Sequence, residues 1–83
     1  MSVAQLEEIV RTTDKEWAKT AAQNTLLVIE KWKNKEITDP AEYHIQLIKA
    51  ASVNTFDPKT SDPKLRGNLF TIADEIGKSV ITI

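Results

Sequence analysis

One side chain in this sequence has the chemistry of both an acid–base catalyst and a metal ligand: His44, the single histidine, in the stretch TDPAEYHIQLIKAAS from Thr38 to Ser52. An imidazole does such work only in company. A general base needs a group to orient it and a reacting group within hydrogen-bond reach. A metal held on a helix needs further ligands one turn away. The neighbours of His44 supply neither. Glu42 and Gln46 are two residues off, and residues so spaced on a helix point in different directions. The positions three and four residues on are Leu47 and Ile48. The chain has no cysteine, which excludes thiol catalysis, thiolate zinc sites and iron–sulfur clusters. The expectation is a protein that is not an enzyme, with no catalytic residue, no cofactor-binding residue and no metal ligand.

Other groupings are weaker still. Lys31, Lys33 and Lys35 surround Trp32 in EKWKNKE, the mixture of cations and an aromatic ring that holds single-stranded nucleic acid. Yet Trp32 falls in an apolar helical stripe, lysines near a helix C-terminus complement its dipole, and Glu30 and Glu36 dilute the charge. Asp57 and Asp62 in FDPKTSD lack the alternating oxygen donors, glycine and final glutamate of a calcium loop. There is no glycine-rich phosphate loop and no nucleophile elbow.

The totals narrow the partners. The 83 residues carry 11 Lys and Arg against 12 Asp and Glu, a net charge of −1, which gives no general attraction to nucleic acid or anionic lipid. A helix-turn-helix would lay Lys64, Arg66, Asn68, Thr71 and Lys78 on DNA, but Asp74 and Glu75 stand in the middle of that face. The longest apolar run, Leu26 to Ile29, is far below the roughly 20 residues that span a bilayer. The first residues carry acids where a signal peptide carries lysine or arginine. No membrane insertion and a cytoplasmic location are expected.

The elements that must position these side chains are helices. Two glycines and three prolines are too few for a turn-rich β fold. Each proline follows an aspartate: Asp39-Pro40, Asp57-Pro58 and Asp62-Pro63. Proline suits the first position of a helix and aspartate caps it, so helices open at Pro40 and Pro63, and Asn54 to Ser61 reads as a loop. From Asp14 to Lys33, Trp17, Ala18, Ala21, Ala22, Thr25, Val28, Ile29 and Trp32 fall in one arc of roughly 140°. Val3, Leu6 and Val10 keep the same phase, which favours one long helix, whereas Thr12-Thr13-Asp14 favours a break. Around the third helix Tyr43, Leu47, Ala50, Ala51, Ile48 and Ile45 span an apolar arc of about 200°. His44 falls inside that arc, so the ring is expected sealed in the core and the helix expected at the centre. The last helix either stops near Gly77 or Lys78, with the glycine as a left-handed cap, or runs on to the C-terminus in the phase that Val80 and Ile83 keep; the stop is the expectation.

The fold class is accordingly all-α, a small three- or four-helix bundle forming a single domain over residues 1–83. Its helices lie at 3–12 and 14–34 (or one helix 3–34), at 40–53 and at 63–77, with a short C-terminal tail. Leu27, Phe56, Phe70 and Ile81 escape the apolar stripes and are the candidate partner-contact residues. The expected function is a small non-catalytic helical protein-interaction module: a regulator, an adaptor, or an inhibitor of the immunity-protein kind. Its partner is another protein or, in a homodimer, a second copy. Small helical chains of this type occur among phage-borne regulators and bacteriocin immunity proteins, an analogy of architecture alone. A small DNA-binding helical regulator and an accessory subunit of a larger complex are the alternatives.

Overall fold

In the computed structural model, which describes residues 3–52 and 63–81, the chain forms four helices: α1 (Val3–Thr12), α2 (Glu16–Lys33), α3 (Pro40–Ala51) and α4 (Pro63–Ile81). No strand occurs among the described residues. α3 packs between α2 and α4. α1 lies on α2 and reaches α4 through a smaller contact. The broad apolar arc of α3 is thus covered on two sides from within one chain.

The open question of one N-terminal helix or two is settled as two. Thr13, Asp14 and Lys15 are not helical. The Thr12 hydroxyl donates back to the Glu8 carbonyl at 2.8 Å, and the Thr13 hydroxyl accepts from the Lys15 backbone N–H at 3.1 Å. The Thr12 bond stays within the last turn of α1, whereas Thr13 takes the Lys15 N–H out of the helical pattern, the local competition that accompanies the break. Lys15 occupies the N-cap of α2 with no side-chain cap bond. At α3 the aspartate–proline signal holds: Asp39 Oδ1 accepts from the Ala41 N–H at 3.1 Å, with Pro40 in the first turn. α3 ends at Ala51, where the Ser52 hydroxyl donates to the Ile48 carbonyl at 2.8 Å.

The core is built chiefly from α2. Trp17, Ala18, Ala21, Ala22, Thr25, Val28 and Ile29 are buried on its inner stripe. They meet Leu6 of α1, Tyr43, Leu47, Ala50 and Ala51 of α3, and Leu69, Ile72 and Ala73 of α4 in one apolar cluster. Three alanines on one helix let neighbouring backbones come close. Thr25, buried among them, donates its hydroxyl to the Ala21 carbonyl at 2.8 Å and so brings no unpaired polar atom inside. Trp32 stacks on Tyr43 with ring centroids 4.6 Å apart and planes 12° from parallel, fastening the end of α2 to α3. Ile37, in the connection between these helices, is buried too.

α2 stops through a main-chain motif. The Lys35 N–H donates to the Trp32 carbonyl at 3.2 Å and the Glu36 N–H to the Lys31 carbonyl at 2.9 Å, the paired bonds of a Schellman cap. The residue that turns the chain out of the helix is Lys35, at φ 64°. A Cβ is strained in that left-handed region and glycine is not. Lys35→Gly is therefore expected to stabilise the fold by about 1 kcal/mol, raising Tm by roughly 4–8 °C. Thermal melts followed by circular dichroism check this, and a Tm at or below that of the unsubstituted chain would count against the strain.

The end of α4 corrects the sequence reading. Gly77 does not stop the helix and has no left-handed φ; α4 runs through it to Ile81. Residues 78–81, expected as a tail, are helical. The physical reason lies in what Gly77 packs against.

Candidate functional site

A polar cluster occupies the seam where α3 meets α4. His44 lies on the α4-facing side of α3, between Ala51 and Ile48 on the helical circuit. Its ring rests against the bare backbone of Gly77. A Cβ at that glycine would fall 2.9 Å from the ring Cγ and 3.1 Å from the His44 Cα, closer than side chains approach without something shifting. Glycine at 77 makes room for the imidazole, and this use of glycine is a close approach and not a cap. One turn earlier on α4, Asp74 comes opposite the ring.

The His44 Nε2 lies 2.8 Å from Asp74 Oδ1. An ionised carboxylate only accepts, so the imidazole N–H donates here and Nδ1 is the remaining ring nitrogen. Asp74 Oδ2 is 3.0 Å from Lys78 Nζ, an i,i+4 pair on α4. The carboxylate therefore lies between two donors from two helices. Hydrogen bonds from His44 and then Lys78 hold the Asp74 carboxyl below the usual carboxylate range. The His44 side chain keeps 26% of its surface exposed and Asp74 27%. The expectation of a ring sealed in the core is thus corrected: one edge of the imidazole reaches solvent, and its partner is a carboxylate 30 residues on. The exclusion of Glu42 was sound in its geometry, since Glu42 accepts from the Gln46 amide at 3.1 Å instead.

The arrangement orients an imidazole through a carboxylate, which is half of what general-base chemistry asks. No second hydrogen bond to the ring is formed among the described residues. Burial pushes the Tyr43 phenol up, away from a phenolate role at neutral pH. No group of three or more His, Asp or Glu side chains that could hold a metal ion occurs among the described residues. The cluster acts on the fold as a clasp between two helices.

Its pH dependence has a definite sign. A carboxyl whose pKa is depressed in the folded state contributes stability that is present above its unfolded value, ordinarily 3.8, and lost as pH falls through the folded value. Asp74→Asn keeps an acceptor for the imidazole N–H but removes the charge. The variant's Tm is expected to fall less steeply than that of the unsubstituted chain as pH is lowered below about 4. Coincident acid limbs for the two proteins would show that the pairing contributes nothing.

The sequence-nominated contact residues divide. Leu27 is 60% exposed on the outer face of α2, and Phe70 is 47% exposed on α4. Phe56 and the side chain of Ile81 lie outside the described residues. Phe70 shares a stripe with Asp74 and Gly77, at positions i, i+4 and i+7, so it stands at the α3-facing edge of α4. Leu27 points away from the packed stripe of its helix, roughly 150° around the circuit, and does not belong to the seam. The sequence missed Ile45, 48% exposed. It was counted inside the apolar arc of α3, but it lies at that arc's far edge, beyond Ile48, where cover from α4 ends. Ile45 and Phe70 are thus half-exposed apolar side chains on the same two helices that carry His44 and Asp74.

The lysines around Trp32 do not gather on one face. Lys31 and Lys33 leave α2 on opposite sides and Lys35 lies past its end, all three exposed. Among the described residues no helix is long and apolar enough to cross a membrane. No protein-family model matches the chain, and no curated protein and no solved structure shows significant similarity to it.

Proposed function

We propose that this chain is a small non-catalytic interaction module that docks another protein on the α3–α4 seam, acting as a regulator, adaptor or inhibitor. The observation that carries the reading is the pairing of two large, half-exposed apolar side chains, Ile45 and Phe70, on the adjoining helices of one seam. Single exposed apolar residues are ordinary on any surface. Two of them on the adjoining helices that also carry a positioned imidazole–carboxylate pair have the composition of an interface centre, with apolar anchors and hydrogen-bonding groups held in place. Leu27, alone on the outer face of α2, is left out of the proposed surface. A cytoplasmic setting belongs to the same proposal, supported by a cysteine-free sequence that suits a reducing compartment.

The test is site-specific photo-crosslinking in cells that naturally make the protein. A photoreactive residue is placed in turn at Ile45, Phe70, Leu27 and the exposed polar position Lys19. Positions 45 and 70 are expected to trap the same protein, and 27 and 19 are not. Once that partner is purified, Phe70→Ala is expected to weaken its binding by about tenfold or more, with circular dichroism at the assay temperature checking that the variant is folded. If 45 and 70 trap nothing beyond what 19 traps, the proposed surface is wrong. If the trapped protein is a second copy of this chain, the module is a homodimer.

A further inference from the structure

We draw no further inference here: the strongest candidate, the His44–Asp74–Lys78 cluster on the α3–α4 seam, belongs to the site already described, and nothing in the structure shows what covers the Ile45 and Phe70 side chains beside it.

Discussion

Leu47→Ala is expected to remove about 3 kcal/mol of stability, within the 2–5 kcal/mol range of such truncations. Leu47 has no exposed surface and sits on the face of α3 that enters the common core. The loss has two parts: the transfer free energy of the deleted carbons, and the cavity left where helices on both sides of α3 hold their positions. Against a total of roughly 4–12 kcal/mol for a domain of this length, that is a large fraction. Urea unfolding should show a markedly lower midpoint with an unchanged slope. A shift of less than about 1 kcal/mol would mean that the site collapses onto the missing side chain and that α3 is less tightly held than its burial implies.

Gly77→Ala is expected to destabilise the fold by about 2 kcal/mol, in the range for overpacked cores, even though alanine is the better helix former by about 1 kcal/mol. The added methyl would sit 2.9 Å from Cγ of His44 and 3.1 Å from its Cα. Turning the imidazole about Cβ–Cγ moves its Cδ2, which also overlaps the added methyl, and breaks the bond to Asp74, but it leaves Cγ where it is. The approach to Cα involves backbone, so the two helices must also part slightly. The control is His44→Ala. In that background the ring is gone and only the 3.1 Å approach to the Cα of residue 44 remains, so Gly77→Ala is expected to cost little, the helix-propensity gain of about 1 kcal/mol offsetting that residual contact. The double-mutant cycle should therefore return a coupling of about 2 kcal/mol between positions 44 and 77. Additive effects would show that the ring does not occupy the glycine's space.

The helical period, the break-prone threonines and the aspartate–proline starts carry most of the architecture in the sequence itself. Pro40 and Pro63 open helices where their local chemistry placed them. What stayed hidden depended on contacts remote in sequence. The interruption after Thr12 was ambiguous because Leu6 and Val10 keep phase with α2, and phase says nothing about whether the three intervening residues stay helical. Gly77 was misread because glycine serves both as a terminator and as a packing space, and the deciding neighbour is 33 positions earlier in the chain (77 minus 44). Asp74 counts in the sequence only as one of two acids on the outer face of the last helix, and nothing local pairs it with His44, 30 residues earlier. Lys35 gave no warning either, since a left-handed turn at lysine has no residue-type signature. A helical wheel measures angle and not depth, so it placed His44 and Ile45 within the arc of α3 without showing where the cover from α4 ends.

The alanines at 18, 21 and 22 restrict how this fold can change over time. Elsewhere in the interior a side chain can shrink and grow back as its surroundings adjust. Along this strip of α2 the only smaller residue is glycine, which weakens a helix by about 1 kcal/mol, and anything larger has to wedge packed elements apart. Positions 18, 21 and 22, all without exposed surface, therefore have almost no neutral substitutions open to them.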